Sequence, residues 1–130
     1  MKRLLGAGLA VLLAGGVAPA CSAPCEAADS DPVSFDGGAR SADGQTYATS
    51  PWEGPYLHFP AGRRFQIAHQ LGATPPVVMT YLAFDENPLP GSNTTESAGN
   101  QAVIERVDSE IVQVRNDTCA EFWLRLVAKK

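Results

Sequence analysis

The chain has 130 residues, 45% of them hydrophobic and 18% charged, the size and balance of one globular domain rather than of a disordered or membrane-filling chain. Taking Lys2 and Arg3 away with the first twenty residues leaves eight Lys and Arg against fourteen Asp and Glu, a net charge of −6. An acidic surface without a basic run argues against nucleic acid as a partner, because that affinity comes from Lys and Arg displacing condensed counterions, and the pairs Arg63-Arg64 and Lys129-Lys130 read as solvated surface.

Residues 1–20 fall into three parts: a positive start (Met1, Lys2, Arg3), an apolar stretch over 4–17, and the small residues Ala18-Pro19-Ala20 before Cys21. That order predicts a cleaved export signal. The apolar stretch is shorter than the about 20 residues that cross a bilayer, and Gly6, Gly8, Gly15 and Gly16 interrupt it. Ala18-Pro19-Ala20 also fits the A-x-A rule of ordinary signal peptidase, which would release a secreted protein. The step from Ala20 to Cys21 resembles the end of a bacterial lipoprotein signal, with Ala18 standing where that family most often has Leu. The resemblance implies that the Cys21 thiol takes a diacylglycerol and becomes the new N-terminus. Acyl chains contribute ~0.8 kcal/mol per buried methylene, so a multi-chain anchor would hold the domain durably at a membrane. Ser22 after the cysteine resembles an outer-membrane rather than an inner-membrane address.

Three cysteines, Cys21, Cys25 and Cys119, leave one over in an exported protein. Lipidation of Cys21 would account for it and free Cys25 to pair with Cys119 in an oxidising compartment. That bridge would close a loop of about 95 residues, for which the chain-entropy model allows up to ~4.5 kcal/mol. The rival pairing, Cys21 with Cys25, requires an unlipidated Cys21. Three thiols without C-x-x-C spacing or a nearby His make a poor zinc set.

Residues 21–32 (CSAPCEAADSDP) have no periodic apolar face and read as a tether, so the folded domain is expected over 33–130. From there the signal is strand-like: short runs of Val, Ile, Phe, Tyr and Thr between Gly, Pro, Asn and Asp. The clearest runs are 56–59, 64–69, 77–84, 101–107, 111–115 and 121–128, with one further short strand near 45–47. In 64–69, Phe65 and Ile67 alternate with Arg64, Gln66 and Ala68. In 121–128, Phe122, Leu124 and Leu126 point one way and Trp123, Arg125 and Val127 the other. The run 77–84 is apolar on both faces, as suits a central strand covered on both sides. Asp108-Ser109 between two runs suggests a tight hairpin. Six to seven such strands predict a small antiparallel β-sandwich. Two long loops, 36–55 and 85–100, are the places where binding is expected.

The segments FQIAHQLGATPPVVMTYLAF, NQAVIERV and VRNDTCAEFWLRLVA resemble small exported bacterial lipoproteins and, more distantly, the sandwich of H-type lectins and related phage tail modules. This covers about half of the chain. It implies the sandwich fold and points toward sugar binding, without assigning individual sugar-binding residues.

No nucleophile elbow, S-x-x-K, P-loop or G-x-G-x-x-G is present, and two histidines without H-x-H or H-E-x-x-H spacing form no recognisable metal motif. No enzyme, cofactor or metal is therefore expected. Asp29, Asp31 and Asp36, or Asp85, Glu86 and Asn87, offer oxygens of the kind calcium takes but lack EF-hand spacing and read as solvated loop residues. The candidate ligand-binding residues are Trp52, Tyr56 and Trp123, whose rings suit stacking on sugars, with His69 and Asp85. His69, before a turn, is more ordinarily a hydrogen-bonding residue. Trp123 is core if the second sheet covers its face and a binding patch if that face is open. Asn93-Thr94-Thr95 and Asn116-Asp117-Thr118 match a glycosylation pattern but read as loop chemistry behind a bacterial signal. The expected function is a non-catalytic, membrane-anchored envelope lipoprotein that binds a glycan or a protein through its loops, or else a structural accessory subunit of an envelope assembly.

Overall fold

The computed structural model describes residues 31–89 and 93–130. The expected export signal, Cys21, Cys25 and most of the tether lie outside the described residues. In chain order the strands are β1 (Val33–Phe35), β2 (Ala39–Arg40), β3 (Thr46–Ala48), β4 (Leu57–Phe59), β5 (Arg64–Ala68), β6 (Val77–Ala83), β7 (Thr94–Glu96), β8 (Val103–Val107), β9 (Ile111–Arg115) and β10 (Phe122–Lys129). The smaller sheet has the order β1-β5-β9-β8; the larger runs β2-β3-β10-β6-β7, with β4 also paired to β10.

Side-chain alternation decides how the sheets face each other. Phe65 and Ile67 of β5 and Val112 and Val114 of β9 are buried, as are Phe122, Leu124, Leu126 and Ala128 of β10. These inward sets, with Tyr47, Phe59 and Leu82, form one core between the sheets. Burying each large apolar side chain contributes ~1.5–3 kcal/mol, so the sandwich follows from the period-2 pattern.

Each of the six clear runs forms a strand, and the short one near 45–47 is β3. Among the described residues there are ten strands rather than six or seven, because β1, β2 and β7 are only two or three residues long, too short to show a period. It also departs from an all-antiparallel sandwich: β1 lies parallel to β5, with Val33 opposite Phe65 and Phe35 opposite Ile67. The 108–109 hairpin forms as expected. The Asp108 carboxylate accepts from the Glu110 and Ile111 amides at 2.8 and 2.9 Å, an Asx turn that sets the register of β8 on β9.

The outer face of the smaller sheet is an ion network built around a bulge. Arg64 and Arg115 lie directly opposite each other on β5 and β9, a like-charge pair that would be destabilising alone. The register of β8 shifts between Ile104 and Arg106, leaving Glu105 to reach both. Its carboxylate accepts two bonds from Arg64 at 2.6 and 3.0 Å, one from Arg115 at 2.7 Å and one from Gln113 at 2.8 Å. The Arg64 bonds, aided by those from Gln113 and Arg115, hold the Glu105 carboxyl down at about 2.

The turn before β10 is held by Asn116, the Asn of the second sequon, which is fully buried. Its side-chain amide donates to the carbonyls of Phe59, Pro60 and Ala120 at 3.1, 3.1 and 2.8 Å, and its oxygen accepts from the Thr118 amide and hydroxyl. Cys119 lies on the exposed side of the same turn.

Two outcomes test this frame. Because the Glu105 carboxyl is depressed from an ordinary 4.5 to about 2, its stabilising share is full above pH ~4.5 and is lost as pH falls toward 2. Urea unfolding across that window should show a steeper loss in the native protein than in Glu105→Gln, by about 1 kcal/mol after solvent screening; parallel curves would remove the network from the stability of the sheet. Asn116→Ala should lower the unfolding free energy by about 3 kcal/mol, since it strands buried carbonyls of β4 and the turn. A loss below about 1 kcal/mol would show that the turn holds without it.

Candidate functional site

The site originates in a gap along one edge of β10. On its other edge β10 pairs continuously with β6, from Trp123 opposite Ala83 to Lys129 opposite Val77. The gapped edge is shared end to end by β4, opposite Phe122–Leu124, and β3, opposite Val127–Lys129. Between these two short strands residues 49–56 leave the sheet. Thr49 bridges the break: its amide donates to the Leu126 carbonyl at 3.0 Å and its hydroxyl accepts from the Leu126 amide at 2.9 Å.

Arg125 sits in this gap. With Leu124 and Leu126 turned into the core, alternation sends Arg125 to the outer face, opposite Tyr81 of β6. There the departing loop folds Trp52 over it. The guanidinium carbon is 3.8 Å from the Trp52 ring centroid and 5.9 Å from that of Tyr81, a cation–π arrangement. The two rings meet edge-on at 4.8 Å and 68°. Arg125 Nε donates to the Ser50 carbonyl at 2.9 Å. Arg125 Nη1 and Ser50 Oγ are both buried and have no hydrogen-bond partner among the described residues. Burial lowers the Arg125 pKa from its ordinary value, opposed by Tyr56, Tyr81 and Glu53.

A cleft of about 470 Å³ opens here, lined by Gly38, Ala39, Ala48, Thr49, Ser50, Pro51 and Arg125. Gly38 permits its wall: at φ 83°, a Cβ there would lie 2.5 Å from the Ala48 carbonyl oxygen and 2.7 Å from the Tyr47 hydroxyl, so only glycine lets the chain run this close to β3. A second hollow of about 400 Å³, also bordered by Thr49, is lined by residues that include Tyr56, His58, Glu86 and Trp123. The two long loops meet beside it. The Tyr56 amide donates to the Glu86 carbonyl at 2.8 Å, and a Cβ on Gly54 would lie 2.6 Å from that same oxygen.

Three of the five expected ligand residues gather here. Trp52 is 51% exposed. Tyr56 is buried and props it, its hydroxyl donating to the Trp52 carbonyl at 3.1 Å. Trp123 lies on the outer face, half-buried, its ring 4.8 Å from that of His58, which in turn bonds Glu121 at 2.6 Å. The face shared by Trp123 and Arg125 points away from the second sheet. Asp85 is exposed in the loop after β6, where Asn93 donates to it at 3.5 Å. His69 is elsewhere and has a structural role. It is fully buried, Nε2 donates to the Asp108 carbonyl at 3.0 Å and Nδ1 accepts from the Leu71 amide at 3.1 Å, so both ring nitrogens are used.

Sequence reasoning missed Arg125, Ser50 and Tyr81. A signal for Arg125 existed: a charged residue in the middle of an apolar strand, on the same face as Trp123. Ser50 and Tyr81 gave none, since each is ordinary for its position. Among the described residues no three His, Cys, Asp or Glu side chains are grouped to hold a metal ion, and no helix is long and apolar enough to cross a membrane. No family model, curated protein or solved structure matches this chain.

Proposed function

We propose that this chain is a non-catalytic envelope lipoprotein, anchored through Cys21 and closed by a Cys25–Cys119 bridge, whose sandwich binds a glycan on the outer face of its larger sheet. The observation that carries the reading is Trp52: one ring face rests on Arg125 at 3.8 Å while the residue stays 51% exposed. A ring already held from beneath loses little freedom when a sugar stacks on it, and Tyr56 fixes the backbone that carries it. Trp123 lies on the same outer face. Among the described residues Ser50 Oγ has no hydrogen-bond partner, so none of them is placed to activate it as a nucleophile. Export, the lipid anchor and an outer-membrane address rest on the order of residues 1–22.

A second reading, a structural subunit of an envelope assembly, is favoured by Phe84 and Leu89, 70% and 74% exposed at the loop end of β6; large apolar side chains so placed suit a protein contact.

A glycan array probed with the mature protein should retain a defined set of sugars, and Trp52→Ala should weaken that binding about tenfold or more, as truncating a central aromatic anchor does. An array on which nothing is retained, with envelope crosslinking that recovers one fixed protein partner, would replace the glycan reading with the second. Intact mass of the mature protein should show Cys21 N-terminal and acylated; a free Cys21 thiol would make the protein a secreted one.

A further inference from the structure

We propose that the cleft beside Arg125 takes a carboxylate, so that the ligand of this face is an acidic sugar; the sugar part rests on the glycan reading above, whereas the carboxylate part rests on the cleft alone. Among the described residues Arg125 is the one buried side chain that carries a formal charge, at 7% exposure. Arg64, Arg106 and Arg115 each meet a carboxylate, but no ion pair to Arg125 occurs among the described residues. Glu53 acts on it only as a nearby charge. A buried cation without a counter-ion is costly, and an arriving anion removes that cost.

The donors fit a carboxylate in number and kind. Among the described residues Arg125 Nη1 and Ser50 Oγ are both unpartnered, Ser50 is 8% exposed, and both residues line the same cleft. Nε is already committed to the Ser50 carbonyl and Trp52 covers one face of the guanidinium plane, while Nη1 is a donor without a partner among the described residues. Both atoms are covered, so the anion reaches them through a small shift of the side chains around the cleft, after which one carboxylate oxygen accepts from Nη1 and the other from the Ser50 hydroxyl. A single cation among Ala39, Ala48 and Pro51 balances a monoanion and leaves the second charge of a phosphate uncompensated.

The test is a titration of the ¹⁵N-labelled mature protein with D-glucuronate, D-glucose, acetate and inorganic phosphate, following the Arg125 Nε–H and Ser50 amide signals. Glucuronate should move both signals to saturation and acetate should move them more weakly, while glucose at the same concentration leaves them in place and phosphate competes poorly. Ser50→Ala, which removes a hydroxyl that bonds nothing among the described residues, should weaken glucuronate about tenfold, and Arg125→Gln should abolish its binding. Glucuronate that leaves the Arg125 signal unmoved, binds Ser50→Ala as tightly as the native protein, or is outcompeted by phosphate would overturn the carboxylate site. The two readings fail separately. Saturable glucuronate and acetate shifts with an empty glycan array leave the carboxylate site standing and remove the glycan. A neutral glycan held through Trp52 with no glucuronate shift at Arg125 does the reverse.

Discussion

Strand β10 pairs along one whole edge with β6 and on the other with two short strands that meet end to end. Because β3 and β4 together do not span that edge, the backbone between them must leave the sheet, and its departing residues cover Arg125 with Trp52. The inward residues of the same strand, Phe122, Leu124, Leu126 and Ala128, supply the floor of the core. One strand therefore closes the sandwich with one face and builds the candidate site with the other. Packing and site are coupled through its alternation.

The two outer faces of the sandwich handle charge in opposite ways. On the smaller sheet the like charges of Arg64 and Arg115 share the carboxylate of Glu105, and the Gln66–Gln113 pair continues the bonded face at 3.1 Å. That arrangement is satisfied within the chain. On the larger sheet Arg125 is more deeply buried and has an aromatic face, a backbone carbonyl and an Nη1 donor with no partner among the described residues. Satisfied polar groups stabilise a surface, whereas a desolvated donor left open next to a cleft is the condition under which an incoming acceptor gains most.

Much of the fold was legible because strand periodicity is local. Phe65 and Ile67, or Phe122, Leu124 and Leu126, announce their shared face within one short segment, and Asp108 announces its turn through its own carboxylate. β1, β2 and β7 were not legible, since two or three residues cannot display a period and they gain their place by docking on β5, β3 and β6. His69 was ambiguous for a related reason. A strand-end His looks the same whether its nitrogens face solvent or, as here, a carbonyl and an amide brought in by other segments.

By itself the sequence determined the all-β class, most strand positions, the hairpin at Asp108 and the aromatic residues of the loop, because each depends on residues a few positions apart. It also placed Trp123 and Arg125 on one face of the last strand. Only the tertiary structure decided that this face points away from the core, that Trp52 comes down on Arg125, and that Ser50 meets an arginine 75 positions away. No local pattern encodes such a meeting. It follows from where β3 ends and β4 begins along β10, which is a property of the assembled sheet.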